Sequence, residues 1–221
     1  MEKKIKNTFK LSLSLLLGFL IWTMMILYID VKAIGVNDTL VGLATMNQWF
    51  HKLTGVHISL YIITDWLGLV PVAICLIFGC LGLYQWIKRR SLFKVDFDIL
   101  ILGVYYMIVI IGYLFFEMIP INYRPILING SMEASYPSST TLLILSVMPT
   151  FTFQTKNRIN NRLIRNIIQI STILFSGYMV IVRLISGVHW LSDIIGSIML
   201  SFGVFYMYKG IVLLLKEITN R

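Results

Sequence analysis

Charged residues are scarce in this 221-residue chain: Asp, Glu, Lys and Arg make up 13%, where soluble domains carry about 25%. A water-soluble fold of this length has too high a surface-to-volume ratio to cover itself with so little charge. Disorder is excluded by the same shortage, because it requires low hydrophobicity and this chain is 57% hydrophobic. Cysteine is nearly absent. Cys75 and Cys80 lie five positions apart in an apolar stretch, on different faces of a helix, and suggest packing rather than a disulfide or a metal pair. Histidine is as rare, and His51, His57 and His189 fall into no ligand spacing, so neither a metal nor another cofactor is expected. Internal repeats, low-complexity tracts and a separate soluble domain are missing too.

What remains is a mean hydropathy of +0.82 and a series of uncharged apolar runs long enough to span a bilayer. The expected fold is all-α and polytopic, a single membrane-embedded domain over residues 1–221. Six transmembrane helices are expected at about 11–29, 65–87, 97–117, 136–155, 166–185 and 190–215. The count places Arg183 and Lys209 near or beyond an interface. The first run is read as a span rather than a cleaved signal, since its apolar core is too long and no small-residue cleavage site follows.

The excess of 19 basic over 10 acidic residues would suggest nucleic acid in a soluble protein. Here topology accounts for it without a nucleic-acid partner. With both termini cytoplasmic, fifteen of the 19 fall inside: Lys3, Lys4, Lys6, Lys10, Lys88, Arg89, Arg90, Lys94, Lys156, Arg158, Arg162, Arg165, Lys209, Lys216 and Arg221. Only Lys32, Lys52, Arg124 and Arg183 are left outside, as the positive-inside rule demands. In the first outer segment Asp38 can cap an amphipathic interfacial helix carrying Leu43, Met46, Trp49, Phe50 and Leu53. Trp66 and Trp86 bracket the second span at headgroup depth. The second outer segment, 117–136, holds Pro120, Pro125, Asn129 and Gly130 and reads as a loop.

The densest polar constellation runs from Arg183 to Asp193. Gly187 can end one helix and the next can begin near His189, setting His189 and Asp193 four apart on one face. The carboxylate could then hold one imidazole nitrogen and leave the other to attack an electrophile or take a proton. On spacing alone an interfacial salt bridge with a snorkelling Arg183 accounts for the same residues equally well.

Arg183, Gly187, His189, Trp190 and Asp193 closely resemble the third signature of the type-2 phosphatidic acid phosphatase family, S-R-x5-H-x3-D with G-x-H-W around the histidine. Arg124-Pro125 matches the end of its first signature, K-x6-R-P, and Pro137-Ser138 the start of its second, P-S-G-H. Order, spacing, span count and an outward-facing site agree with the family along most of the chain. Three positions depart: Glu117 stands for the lysine, Val182 for the serine before the arginine, and Ser139-Thr140 for Gly-His. The resemblance implies a metal-independent lipid phosphatase in the cell membrane, with its site extracytoplasmic. In it His189 forms a phosphohistidine, supported by Asp193 and Arg183. Arg124, Arg183, Ser138 and Ser139 bind phosphate, and Thr140 stands where the leaving-group acid is missing. The implied substrate is a lipid diphosphate or phosphate, undecaprenyl diphosphate-like or phosphatidic acid-like. Two alternatives stay open: a degenerate member that binds lipid phosphate without turnover, and a transporter-like bundle with Arg124, Arg183 and Asp193 along its pathway.

Overall fold

The computed structural model describes residues 2–219; Arg221, counted among the cytoplasmic charges, lies outside the described residues. The chain is mostly helical: α1 (Glu2–Tyr28), α2 (Ala44–Thr54), α3 (Ile58–Leu67), α4 (Leu69–Arg89), α5 (Phe97–Met118), α6 (Ser139–Arg158), α7 (Arg162–Ile185) and α8 (Leu191–Thr219). Among the described residues five stretches are long and apolar enough to cross a membrane, namely α1, α3 with α4, α5, α7 and α8. α6 covers most of the expected fourth span but is not among them, because Ser139, Thr140, Thr141, Ser146, Thr150, Thr152, Gln154 and Thr155 make it too polar.

The second span begins earlier than its hydropathy suggests, at Ile58. At Gly68 the helix is interrupted, where the Gly68 N–H bonds back to Thr64 O and Asp65 O at 2.9 and 3.1 Å. Pro71 follows and cannot donate to Leu67, which loosens this turn further.

α8 is the central helix and packs on α1, α2, α5 and α6. Lipid supplies no hydrophobic drive between helices, so close backbone approach and polar contacts do the joining. Gly196, Gly203 and Gly210 recur every seven residues along α8. A Cβ at Gly203 would sit 2.7 Å from Leu16, one at Gly210 2.8 Å from Phe9, and one at Gly196 2.4 Å from the Tyr136 ring. Ser12 Oγ donates to Gly203 O at 2.8 Å, and Ser201 Oγ to Leu142 O at 3.3 Å. At the far end from the α6 and α8 N-termini, Arg158 grips Asp98 with two bonds of 3.0 Å, and Gln154 Nε2 donates to Asp98 O and to the Tyr208 hydroxyl.

The segment between α1 and α3, expected outside, differs from expectation in one respect. α2 starts at Ala44, and Asp38 lies in a 3-10 turn at φ +58°, too far back to cap it. Asp30 serves instead: its carboxylate accepts from Thr45 N at 2.6 Å, and its carbonyl accepts from Ala44 N. The Lys32 hydrogen bond above all, with that of Thr45, holds the Asp30 carboxyl down at about 2. A two-residue hairpin, β1 (Lys32–Ala33) against β2 (Leu40–Val41), closes the turn between them. The buried side of α2 carries Ala44 and Asn47, while Trp49 and Leu53 face outward.

Candidate active site

Three connections converge at one end of the bundle. The first is the α7–α8 turn, where Gly187 at φ +70° reverses the chain; a Cβ there would lie 2.0 Å from Gly55 O, so only glycine fits. His57 N donates to Ser186 O at 2.9 Å, and a His51 Nε2 contact of 3.2 Å to Gly187 O pins the same turn to the α2–α3 connection. The second is the α5–α6 segment, expected as a loop. Asn129 and Gly130, both at positive φ, close a hairpin bridged at Ile128–Ser131 and Tyr123–Ala134. The hairpin sets Asn122 and Arg124 beside Glu133 and Ser135 through bonds of 2.9 and 3.1 Å. The third is the N-terminus of α6 with Ser138.

α8 begins at Leu191, so His189 precedes the helix instead of lying on it. Asp193 stands at the third helical position and reaches back to accept from Trp190 N at 2.9 Å, the carboxylate half of a capping box. The expected direct hold of Asp193 on the imidazole is therefore replaced: His189 Nδ1 lies 3.9 Å from Asp193 Oδ2, and Ser135 bridges them. Nδ1 is 3.1 Å from both Ser135 O and Ser135 Oγ, while Ser135 Oγ donates to Asp193 Oδ2. This network assigns the proton to Nδ1 and leaves a lone pair on Nε2. Asn122 Nδ2 and Ser192 Oγ donate to the other Asp193 oxygen at 3.3 and 3.4 Å. Asn47 in turn fixes Ser192, through Ser192 N to Oδ1 at 3.0 Å and Nδ2 to Ser192 Oγ at 2.9 Å.

Arg124 and Arg183 converge on the ring of Tyr61, with guanidinium carbons 5.6 and 4.6 Å from its centroid. Each has one carboxylate at its outer edge. Arg183 Nη1 meets Thr64 Oγ1 at 3.0 Å and Asp65 Oδ1 at 2.9 Å, and Arg124 Nη2 meets Glu133 Oε2 at 3.1 Å. Both guanidinium groups are buried, whereas side chains of Asp65 and Glu133 are 47% and 36% exposed. Arg124 Nε and Nη1, Arg183 Nε and His189 Nε2 are buried with no partner among the described residues. An unmet buried hydrogen-bonding group costs about 1–3 kcal/mol, more when charged. Four such atoms in one cluster point to a polar occupant there and not to idle packing. Their chemistry, three cationic N–H donors around a nitrogen lone pair, suits an anion with a tetrahedral centre. Among the described residues no group of three or more His, Cys, Asp or Glu side chains is placed to hold a metal.

The sequence matches the PAP2 superfamily over residues 100–215, just over half of its length. The chain belongs to the PAP2 superfamily. A crystal structure described as the first transmembrane PAP2 type phosphatidylglycerolphosphate phosphatase, from Bacillus subtilis, shares the fold. It is 19% identical, at TM-score 0.55, over 91% of this chain and 96% of that one. No curated protein matches the sequence.

The structure thus gathers Arg124, Arg183, His189 and Asp193, the residues expected from the sequence, into one buried cluster. Ser138 is fully buried too, but its hydroxyl donates to Thr141 Oγ1 at 3.1 Å inside the first turn of α6. Ser139 and Thr140 line a groove of about 330 Å³ between α4, α5 and α6, with Leu69, Val72, Val109 and Ile110, and the same groove reaches Asp65, the partner of Arg183. Glu117, at the position of the family's lysine, is exposed. Sequence spacing missed Ser135, Asn122, Tyr61 and Asp65, which no signature includes and which arrive from other elements.

Proposed function

We propose that the chain is a membrane lipid phosphatase hydrolysing a lipid diphosphate or phosphate at the outer leaflet through a phosphohistidine. The observation that carries this reading is the set of unpartnered buried nitrogens on Arg124, Arg183 and His189. Phosphoryl transfer needs charge stabilisation on the equatorial oxygens and a nucleophile in line. Arg124 and Arg183 supply the first and His189 Nε2 the second. Asp193, through Ser135, holds the tautomer and stabilises the imidazolium that forms. The backbone N–H groups at the start of α6, with Ser138 and Ser139, add a helix N-terminus to the phosphate site. The apolar groove at Thr140 and Asp65 gives a hydrocarbon chain a path to the site, which favours a lipid over a soluble phosphate ester. Water then hydrolyses the phosphohistidine; the mechanism draws on no metal. The direct experiment is a phosphate-release screen of purified protein across monophosphate and diphosphate lipids. Binding without release from any of them would leave only the binding function.

In this reading α6 is the fourth of six spans, its hydroxyls turned into the bundle, both termini are cytoplasmic, and α2 lies in the outer interface. Asn129, Ser131 and Asn160 are all exposed. With Cys75 and Cys80 replaced, single cysteines at Asn129 and Ser131 should react with an impermeant maleimide from outside, and one at Asn160 should not. The opposite labelling would invert the site.

Burial above all, and then the charges of Arg124 and Arg183, push the His189 pKa well below its ordinary value of 6.5. A lowered pKa keeps the nucleophilic neutral form as pH falls. The acid limb of kcat/KM assigned to His189 is therefore expected below pH 6.5, and Arg124→Gln, by removing a positive charge, should move it upward. An acid limb that stays in place in that variant would contradict the electrostatic assignment.

Thr140 bears on the substrate. A monophosphate ester expels an alkoxide, a strong base that needs a proton in the transition state. A diphosphate lipid expels a phosphate monoester whose second pKa is about 6, so it departs without one. General acid catalysis contributes about 10²–10⁴-fold where it is needed. Diphosphate lipids should therefore be preferred, and Thr140→His should partly restore monophosphate hydrolysis. Equal kcat/KM for matched mono- and diphosphate lipids would remove the preference and leave Thr140 as part of the helix start.

A further inference from the structure

A second lined space plays no part in the phosphatase reading. A groove of about 590 Å³ runs between α6, α7 and α8, with apolar walls that include Leu145, Phe153, Ile173, Val180, Ile198 and Phe202. It follows α8 from Ile198 to Lys209, about 16 Å at 1.5 Å per residue. Lys209 is sixteen residues beyond Asp193 on the same helix, so this mouth lies about 24 Å from the catalytic end.

At that mouth the chemistry changes. Lys156 and Lys209 line it, and a polar basin of about 550 Å³ opens beside it, lined by Lys3, Lys4 and Asn7. Tyr206 lines both spaces, so groove and basin share a wall. Lys209 lies 5.4 Å from the Tyr206 ring and within electrostatic range of Lys4 and Lys156. Among the described residues no carboxylate makes a salt bridge to Lys156 or Lys209. Mutually repelling lysines held at the end of an apolar channel call for an anion that carries hydrocarbon. A zwitterionic headgroup would bring its own cation into the repulsion.

We infer that this groove binds an anionic glycerophospholipid of the leaflet at the Lys209 end, its acyl chain along α6, α7 and α8 and its phosphate between Lys156 and Lys209. Gln169, also lining the groove, can donate to an ester carbonyl. Each lysine near an anionic headgroup is worth roughly fivefold in affinity, so the pair gives about 25-fold.

The test is native mass spectrometry of the full chain in detergent, titrated with phosphatidylglycerol and with phosphatidylcholine. The unchanged protein should retain phosphatidylglycerol preferentially, and the double variant Lys156→Gln/Lys209→Gln should lose that preference by about 25-fold. A second variant probes the chain path: Gly177 lines the groove and a Cβ there meets nothing within 4 Å, so Gly177→Leu starts unobstructed, should occupy the groove and should abolish retention. Both variants leave Arg124 and Arg183 untouched, so a lipid held at the catalytic end would survive them. Undiminished phosphatidylglycerol retention in either variant, or equal retention of both lipids by the unchanged protein, overturns the proposal.

Discussion

His189→Ala should release no phosphate above background from any lipid substrate while remaining folded. Among the unpartnered buried atoms of the cluster Nε2 alone offers a lone pair, and the others are arginine donors that cannot attack phosphorus. Truncation leaves the Ser135–Asp193 bond, the Trp190 N–H bond and the Asn122 bond in place, so the α8 start keeps its cap. Thermal unfolding in detergent should accordingly shift little compared with the loss of activity. Substrate retention should persist in a pull-down on lipid-phosphate vesicles, since Arg124 and Arg183 are unchanged. Turnover at the ordinary rate in this variant would exclude a nucleophilic role.

Asp193→Asn should lower kcat/KM by about 10²–10⁴-fold, as carboxylate-to-amide changes do in histidine sites of this type. Four donors converge on the Asp193 carboxylate: Ser135 Oγ, Trp190 N, Asn122 Nδ2 and Ser192 Oγ. An amide accepts at only one of its two heads, so its NH2 must face a donor and part of the network opens. Asp193→Asn therefore disturbs both the capping of α8 and the relay to His189. Ser135→Ala separates the two. It removes the bridge but leaves the Trp190 bond, and the loss of one hydrogen bond to a charged group, about 1.5–3 kcal/mol, translates to roughly 10–150-fold in rate. A direct His189–Asp193 pair would make Ser135→Ala nearly silent. Equal activity of Ser135→Ala and the unchanged protein would thus restore the direct contact that spacing alone suggests.

These contrasts mark how far the sequence reaches. Run length and charge distribution are local quantities, so the helices α5, α7 and α8 fall within a few residues of the expected runs, while α1 starts well before its apolar run, at Glu2. The third signature is equally local: its His189 and Asp193 lie 3.9 Å apart, and the charge of Arg183 acts on the imidazole. The errors lie where a contact is made between distant segments. Asp38 has the right spacing for a cap, but Asp30 takes the role because the β1–β2 hairpin folds it back onto α2. His189 and Asp193 have helical spacing, yet helix α8 begins two residues after His189, and Ser135, 54 positions earlier, enters between them. Asn122, Tyr61 and Asp65 carry no signature of their own. Only the Asn129-Gly130 turn, as a hairpin former, hints that the 117–136 segment is ordered enough to deliver site residues.

The central claim is that His189 Nε2 takes the phosphoryl group, and trapping that intermediate tests it most directly. Purified protein mixed with a diphosphate lipid labelled in its terminal phosphate, then quenched in base within milliseconds, should carry label that is stable to alkali and labile to acid, as a phosphoramidate is. Fragmentation mass spectrometry should place the added phosphate on the peptide containing His189, and the label should be absent from His189→Ala and should build up in proportion to substrate. Label on a different residue, or steady phosphate release with no labelled protein at any quench time and undiminished release by His189→Ala, would contradict the account.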